Sequence, residues 1–289
     1  MKVEIIEDEL GFKTLKNKPS RIELQEYYTQ KYFNQEKNFL SSYSKEELLF
    51  KKNKLNQKFL FLMPFIKKNH KSLLELGSGE GWVLKKFKEN NFKVIGIDYS
   101  GDGLKRYNNN LYNELIIGDV ESEIINFDNQ IFDIIWIENV LEHVLNPREL
   151  IENIEKKLKK DGLVAVTVPN DFSILQKSII ENKMVNHENY WLAYPDHISY
   201  FNYNSLINIF KYFKFELLDI MSDYPIEFDL LSQNSNYIDN KNNGQFSHQK
   251  RIKIENLLSS ISDEKTNQLY RDFAELGIGR SLFAIFKKK

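Results

Sequence analysis

The sequence predicts an α/β fold in which helices cover both faces of a parallel sheet. Between Leu73 and Val168, short apolar runs alternate with segments of helical character, which is typical of parallel strands joined by helical crossovers. The first run ends in an acid and three glycines spaced two apart, "LLELGSGEGW", which indicates a buried strand entering a tight turn at a helix N-terminus. With 289 residues and 42% hydrophobic content, the chain can also bury a sizeable core.

The predicted strands are the apolar runs themselves, and two further runs near the C-terminus extend the set. In chain order they are Leu73–Leu76, Val94–Ile97, Leu115–Ile117, Phe132–Ile137, Leu163–Val168, Phe215–Ile220 and Ser281–Phe286. One helix is expected to begin at Asn146, because this residue can cap it, Pro147 suits the first position and Glu149 completes a capping box. Its apolar stripe reaches Leu158, and Gly162 is expected to stop it.

The chain divides into four predicted parts. Residues 1–70 form an N-terminal helical and aromatic segment, residues 71–223 the core, residues 224–279 a polar loop with a helical insertion, and residues 280–289 a closing strand. The N-terminal segment carries one apolar helix face, made of Leu48, Leu55, Phe59, Leu62 and Ile66.

The insertion is predicted to contain a loop followed by a helix. The polar stretch "SQNSNYIDNKNNGQFSHQK" indicates a mobile loop, and the region from about Arg251 to Leu276 is helical in pattern. We interpret the insertion as a lid or a contact surface, although its asparagine and lysine content can equally reflect the base composition of the gene.

Composition excludes several classes of function. With 40 basic and 41 acidic residues, the net charge of -1 gives no long-range attraction for a polyanion, so nucleic acid is not an expected partner. The absence of cysteine excludes disulfides, thiolate metal sites and cysteine nucleophiles. The charged start "MKVEIIEDEL" lacks the apolar region of a signal peptide, and the longest apolar run is too short to span a bilayer, so we expect a cytoplasmic protein without a membrane span.

Acidic residues lie at or just after the ends of the first three predicted strands. Glu75 precedes the glycine turn, which departs from the dinucleotide-binding spacing because its third glycine, Gly81, comes one position early. This suits a ligand with a cationic amino-acid tail rather than a pyrophosphate. Asp98 ends the second strand, where a carboxylate can accept hydrogen bonds from both hydroxyls of a ribose, and Asp119 follows the third, where it can accept from an adenine amine.

The segment from about Ser72 to Asn170 resembles a class I S-adenosylmethionine-dependent methyltransferase. The motifs that carry the resemblance are "LLELGSGEG", "VIGIDYS", "IIGDVES", "FDIIWIENVLEHVLNP" and "KKDGLVAVTVPN", in the order of that family. The resemblance implies a Rossmann-like seven-stranded sheet whose last strand is antiparallel, and S-adenosylmethionine as cofactor.

Transferred residue by residue, the resemblance implies a set of cofactor-binding residues. Gly77 and Gly79 let the backbone approach the methionine part, Glu75 lies near its ammonium group, and Asp98 holds the ribose. The adenine is framed by Asp119 and the Val120 backbone. The predicted set is completed by Gly81, Tyr99 and Glu138.

Two histidines are candidate catalytic residues. In "ENVLEHV", Glu142 and His143 follow the fourth strand and resemble the ubiquinone-type O-methyltransferases, where an acid and a histidine can ligate a divalent metal with another acid three residues earlier. Asn139 stands at that third position, so no metal site is predicted. His197 lies in "YPDHISYF" and is narrowly favoured as the base nearer the acceptor, with His143 shaping the pocket; positioning or packing roles are the alternative for both.

Aromatic residues near His197 are candidates for acceptor binding, because rings can stack on a sugar or cover an apolar acceptor. They are Tyr190, Trp191, Tyr194 and Tyr200. A second aromatic stretch, "EYYTQKYF" (26–33), looks like a segment that covers the cofactor in related enzymes. Packing of the sheet edge or of a helix explains both stretches almost as well. The other histidines, His70, His187 and His248, are expected at the surface.

The overall layout resembles methyltransferases of bacterial surface-polysaccharide biosynthesis, which implies O-methylation of a sugar or sugar-linked intermediate, with a small-molecule or glycan acceptor as partner. The alternatives are methylation of a small phenolic or quinone-like metabolite, and a non-catalytic partner protein that keeps the cofactor site. A nicotinamide-dependent enzyme is disfavoured because the Tyr-x-x-x-Lys pair, Tyr27 and Lys31, precedes the glycine turn. The oligomeric state is not predicted.

Overall fold

The computed structural model describes residues 3–24, 26–27 and 43–289. Most of the predicted aromatic stretch 26–33 lies outside the described residues, as does Lys31. Within the described part of the chain, no helix is both long enough and apolar enough to cross a membrane.

The strands and helices follow the predicted alternation. The strands are β1 (Ile5–Glu7), β2 (Lys13–Leu15), β3 (Ser72–Leu76), β4 (Lys93–Asp98), β5 (Leu115–Ile117), β6 (Phe132–Glu138), β7 (Leu158–Pro169), β8 (Ser199–Tyr200), β9 (Phe215–Met221) and β10 (Ser281–Lys288). The helices are α1 (Lys45–Leu62), α2 (Trp82–Glu89), α3 (Asp102–Asn108), α4 (Val120–Glu123), α5 (Pro147–Lys157), α6 (Ile174–Glu181), α7 (Tyr203–Tyr212), α8 (Asn243–Ile261) and α9 (Asp263–Glu275).

Seven strands form the central sheet in the order β5-β4-β3-β6-β7-β10-β9. The pairs from β5 to β7 are parallel, whereas β10 runs antiparallel to both β7 and β9. The carboxyl ends of the parallel strands therefore meet at one edge of the sheet, and the start of β10 joins them there. The predicted fold class is confirmed.

The core lies on both faces of this sheet because successive strand residues point to opposite sides. In β6, Ile135 and Ile137 pack into one apolar cluster, whereas Ile134 and Trp136 pack into the other. Burial on both faces explains why these strands read as continuous apolar runs.

A second, three-stranded sheet adds strands to the N-terminal segment, for which the sequence indicated helix alone; the predicted helix face is on α1. β1 pairs with β2, and β2 pairs with β8, so that Thr14 lies opposite Ser199. The Thr14 hydroxyl also donates to the carbonyl of Ile198 at 3.0 Å. These strands are only two or three residues long, too short for a periodic signal, and they hold the segment that carries His197.

The insertion is more ordered than predicted. The polar stretch 232–250 was expected to be a loop, but α8 begins within it at Asn243. Asn236 holds the preceding turn by donating to the carbonyl of Met184 at 3.1 Å, so polar side chains here have partners. The predicted single helix is two helices, because Ser262 has extended backbone and caps α9 through a bond from the Lys265 amide.

Two helix boundaries and the burial of one histidine also test the sequence. The Asn146 cap is confirmed, since its side chain accepts from the Glu149 amide. The helix stops at Lys157 rather than after Leu158, because the chain enters β7 directly. The expectation that His70 is at the surface is wrong: it is 4% exposed, and burial lowers its pKa.

Candidate functional site

The glycine turn lies between β3 and α2 and requires glycine for two different reasons. Gly77 has a φ of +75°, and a Cβ at this position would come within 2.3 Å of Val140 Cγ2. Gly81 also has a φ of +75°, and its Cβ would meet Leu104 at 2.8 Å. Any side chain would therefore be strained at both positions and would clash with a neighbour.

Gly79 has a different environment. Its φ is +49° and nothing lies within 4 Å of the position that a Cβ would take. Its amide donates to Asp98 Oδ2 at 2.7 Å, which joins the turn to the end of β4. The conformation of Gly79, rather than crowding, is what favours glycine.

Two cavities open at the carboxyl edge of the sheet and share Gly77, Glu138 and Asn139. Cavity 1, of about 300 Å³, lies over the ends of β4 to β6 and is lined by Asp98, Tyr99, Asp119, Val120, Val140 and His143, among others. Cavity 2, of about 400 Å³, lies toward β7, β9 and β10 and is lined by Lys58, Glu75, Thr167, Asp223, Arg251 and Ser281, among others. The shared residues form the junction between the cavities.

The acids of cavity 1 suit a nucleoside. Asp98 is buried and its carboxylate accepts from the amides of Gly79 and Ser100, yet burial raises its pKa, so further hydrogen-bond donors such as ribose hydroxyls would stabilise it. Asp119 caps α4 and accepts from the Tyr99 hydroxyl at 2.8 Å. Apolar side chains, including Val120 and Val140, complete the wall where a base would lie. The described residues therefore fit the adenosine part of S-adenosylmethionine.

Two further predicted cofactor residues line cavity 2. Glu75 is buried and accepts from the Leu84 amide at the start of α2 at 3.2 Å, and burial raises its pKa well above the usual value. Glu138 lies at the junction. Burial raises the pKa of Glu138, but Lys58 more than offsets this effect and holds the pKa below its usual value. A carboxylate at the junction suits the ammonium group of an amino-acid tail.

Lys58 is a residue that the sequence reading missed. It is 7% exposed, and its Nζ donates to Glu138 Oε1 at 2.5 Å and to Thr167 Oγ1 at 3.0 Å. Trp136 Nε1 donates to the other oxygen of Glu138 at 3.2 Å. Lys58 belongs to α1, about 80 residues before Glu138, and in the sequence it looks like any other lysine of a helix rich in lysine.

The two candidate histidines lie together although 54 positions separate them. Their rings make an edge contact with centroids 4.8 Å apart. The contact forms because the Ile198 and Ser199 amides donate to the carbonyl of Glu142 at 2.8 and 3.0 Å.

His143 is oriented by the residue beside the other histidine. Its Nδ1 lies 2.7 Å from the carbonyl oxygen of Asp196 and 3.4 Å from Asp196 Oδ1. A carbonyl only accepts, so Nδ1 carries the proton and the neutral ring has its lone pair on Nε2. Burial lowers the pKa of His143, but Asp196 and Glu142 outweigh it, so the pKa is raised above its usual value.

Buried carboxylates surround the pair. Glu142 is 1% exposed, its Oε1 lies 3.8 Å from His143 Nε2, and burial raises its pKa to about 7. Asp171 Oδ2 lies 4.0 Å from His197 Nδ1, and its other oxygen accepts from Arg280 at 2.8 Å. Asp196, adjacent to His197 in sequence, therefore faces His143, whereas the acid facing His197 comes from the end of β7.

Asp171 and Arg280 also escaped the sequence reading. Asp171 could have been found, because it follows the fifth core strand at the edge where the other acids gather. Arg280 gave no signal, since it lies after the insertion and reaches Asp171 only through the pairing of β10 with β7.

The candidate acceptor aromatics separate by burial. Trp191 and Tyr200 are buried in an apolar cluster with Leu15 and Ile198, and Tyr190 packs against that cluster. Tyr194 is 52% exposed. A contribution of these four residues to acceptor binding stays a prediction. Tyr194 is the most exposed of them and therefore the most accessible to an acceptor.

A possible metal-ligand group lies in the histidine cluster. Glu142, His143 and His197 each offer one ligand atom, and these atoms lie within 4.8 Å of one another. Asn139, the neutral residue at the position of the missing acid, has a φ of +52°, a left-handed conformation that asparagine tolerates. That no metal binds here stays a prediction.

Comparisons with known proteins bear on the family of this chain. A family model described as a methyltransferase domain matches residues 47–220, more than half of the chain. The ubiquinone biosynthesis O-methyltransferase of Glaesserella parasuis serovar 5 (strain SH0165) is 31% identical over 108 residues, which cover 35% of this chain and 46% of that protein. The chain thus spans about half the length of the curated relatives that it matches.

Solved structures share the fold. A SAM dependent methyltransferase from Archaeoglobus fulgidus matches with a TM-score of 0.54 at 20% identity, covering 89% of this chain and 99% of that one. The cyclase SpnF matches with a TM-score of 0.50 at 16% identity, covering 81% of each chain, so the fold alone does not fix the reaction. The family model decides the assignment: the chain belongs to the methyltransferase domain family, the class I S-adenosylmethionine-dependent methyltransferases, and its cofactor is S-adenosylmethionine.

Proposed function

We propose that this protein is an O-methyltransferase that methylates a hydroxyl group of a sugar or sugar-linked intermediate of bacterial surface polysaccharide. The observation that carries the reaction type is the position of His143, which lines cavity 1 and whose Nδ1 lies 2.7 Å from the carbonyl oxygen of Asp196, a contact that leaves the lone pair of the neutral ring on Nε2. A hydroxyl must lose its proton as it attacks, whereas an amine largely needs only to be neutral, so an oriented histidine at this place favours oxygen methylation.

Each residue then has a role in the proposed reaction. S-adenosylmethionine, when bound, supplies an electrophilic methyl group. Asp98 and Asp119 hold the adenosine part, while Gly77, Glu75 and Glu138 accommodate the amino-acid part. His143 takes the proton of the acceptor hydroxyl, and Glu142 stabilises the charged ring that results.

This proposal reverses the narrow preference for His197 that the sequence suggested. His143 lines cavity 1 and has a fixed tautomer. His197 instead makes an edge contact with the ring of His143 and faces Asp171. We therefore propose His143 as the base and His197 as the residue that positions it.

The acceptor class is supported by the layout of the chain, which resembles polysaccharide-associated methyltransferases. A phenolic or quinone-like acceptor is the second candidate, favoured by the match to a ubiquinone biosynthesis O-methyltransferase over 35% of the chain. A non-catalytic partner protein is the third, and turnover separates it from the other two.

The test is a methyl-transfer screen. Purified protein is incubated with isotopically labelled S-adenosylmethionine and three acceptor sets, namely nucleotide sugars, glycans and catechols, and methyl uptake is read by mass spectrometry. We expect micromolar cofactor affinity and uptake by a sugar hydroxyl. Uptake only by catechols would select the second candidate, and cofactor binding without uptake by any set would favour the third.

A further inference from the structure

The end of cavity 2 next to β9 and β10 is formed by Arg251 of the insertion together with Asp223 and Ser281 at the ends of those strands. Arg251 of α8 donates to Asp223 Oδ2 at 2.6 Å, and Asp223 Oδ1 accepts from the Ser281 amide at the start of β10 at 2.8 Å. Arg251 also donates through Nε to Glu255 Oε1 at 2.7 Å. One guanidinium group thus joins the insertion to the edge between β9 and β10.

The strand order separates this end from the cofactor. From β3, which ends at the glycine turn, to β10 there are three inter-strand spacings of about 4.8 Å, or roughly 14 Å. The amino-acid chain of the cofactor extends only four bonds of about 1.5 Å beyond its sulfur. The β10 end of cavity 2 thus lies farther from β3 than the length of that chain, and we assign this end to the acceptor.

The cations of cavity 2 are paired. Each of the four that the described residues place on its wall has a carboxylate partner: Lys51 pairs with Glu80, Lys54 with Glu255, Lys58 with Glu138 and Arg251 with Asp223. A fully paired wall offers no excess positive charge to an anion. It does offer directed hydrogen-bond donors and acceptors, which is what a neutral, polyhydroxylated ligand requires.

Arg251 retains hydrogen-bonding capacity for such a ligand. Among the described residues, its Nε and Nη2 donate to carboxylates while Nη1 makes no hydrogen bond, and the residue lines the cavity. Its guanidinium lies over the Phe50 ring at 5.8 Å, and this contact helps to orient the arginine at the cavity wall.

We infer that this end of cavity 2 is a saccharide subsite, with Arg251 and Asp223 binding the ring that follows the methylated one. The methylated ring lies beside His143, which follows β6, and β6 lies two spacings, or roughly 10 Å, from β10, whereas a pyranose ring built from bonds of about 1.5 Å spans about 5 Å. The acceptor therefore extends over at least two rings. This inference rests on the proposed function, since it specifies the acceptor of the same reaction.

Saturation-transfer NMR on protein saturated with S-adenosylhomocysteine tests the subsite. The probes are methyl glucoside, cellobiose, lactose, glucuronate and caffeate. We expect signal from a disaccharide that exceeds that of methyl glucoside. Arg251→Lys, which keeps an ion pair but removes the Nη1 donor, should weaken disaccharide binding at least tenfold and change S-adenosylhomocysteine affinity less than twofold.

Two further variants serve as a control and as a second test of the subsite. Arg271→Lys alters an arginine that makes a similar pair with Asp219 but does not line cavity 2, and it should leave sugar binding unchanged. Ser281→Val narrows the cavity without altering an ion pair and should also weaken disaccharide binding. This variant provides the test if Arg251→Lys is poorly folded.

Several results would overturn the inference. They are absence of signal from both disaccharides, binding of glucuronate or caffeate in their place, unchanged disaccharide binding in both cavity variants, or equal weakening of cofactor-product binding by Arg251→Lys. Failure of the proposed function is read separately, because wild-type protein would then bind S-adenosylhomocysteine without transferring a methyl group to any acceptor.

Discussion

The two cavities at the sheet edge differ in how their residues are distributed along the chain. Apart from the shared Glu138, the predicted cofactor residues of cavity 1 lie at or after the ends of three consecutive strands and fall between Gly77 and Val120. Cavity 2 gathers residues from α1, β7, β9, α8 and β10, from Phe50 to Phe283. The first is encoded by local motifs, whereas the second exists only once distant elements have packed.

This difference separates what the two cavities do in the proposed reaction. A cofactor shared by a whole family can be bound by a local motif that recurs. An acceptor is particular to each enzyme, and its site is built from connecting segments and insertions on the common sheet. The histidine cluster lies between the two, since it joins a motif after β6 to a segment held by the small N-terminal sheet.

The largest expected effect comes from His143. His143→Ala should lower kcat by roughly 10²–10⁴ and leave cofactor affinity nearly unchanged, because a general base acts on the acceptor proton and not on cofactor binding. His197→Ala should lower kcat less, and the exposed His187→Ala serves as control. Turnover with the identified acceptor and calorimetry with S-adenosylhomocysteine provide the two readouts. A larger loss in His197→Ala would restore His197 as the base.

The next effect tests cavity 1. Asp98→Ala should weaken S-adenosylhomocysteine binding at least tenfold, because it removes the buried carboxylate expected to hold the ribose. Asp102→Ala, which changes an exposed acid four residues later, is the matched control. Calorimetry on variants with wild-type circular dichroism measures both. Equal affinity in Asp98→Ala and wild type would contradict the assignment of cavity 1 to adenosine.

A smaller effect concerns pH. Because the neutral form of His143 is the base and its pKa is raised, activity should increase with pH through that raised pKa. Asp196→Asn removes a carboxylate that raises the pKa, so the acidic limb of the kcat profile should move to lower pH. Asp102→Asn should not move it. If the acidic limb of the kcat profile does not move in Asp196→Asn, the group that titrates there is not His143.

The smallest expected effect is that of chelation. Activity should persist in EDTA, because Asn139 supplies no carboxylate and Glu142, with a pKa of about 7, is partly protonated near neutral pH. The measurement is turnover before and after dialysis against EDTA. Loss of activity with recovery on adding Mg²⁺ or Mn²⁺ would instead identify Glu142, His143 and His197 as a metal site.

The sequence by itself determined the central sheet. Strands such as Leu115–Ile117 were placed to the residue, and Gly77, Asp98 and Asp119, which line cavity 1, were named as candidates. These predictions succeeded because each feature depends on a few neighbouring residues. A strand buried on both faces has a continuous apolar sequence, and a tight turn at positive φ requires glycine.

Only the tertiary structure decided which side chains face one another. It placed Asp196 against His143 and Asp171 near His197, and brought Lys58 to Glu138 and Arg251 to Asp223. It also ordered the polar stretch before α8, where side-chain partners replace the apolar signal that the sequence lacks. These contacts depend on where strands and helices lie in space, and a lone charged residue has the same appearance in sequence whether it meets solvent or a buried partner.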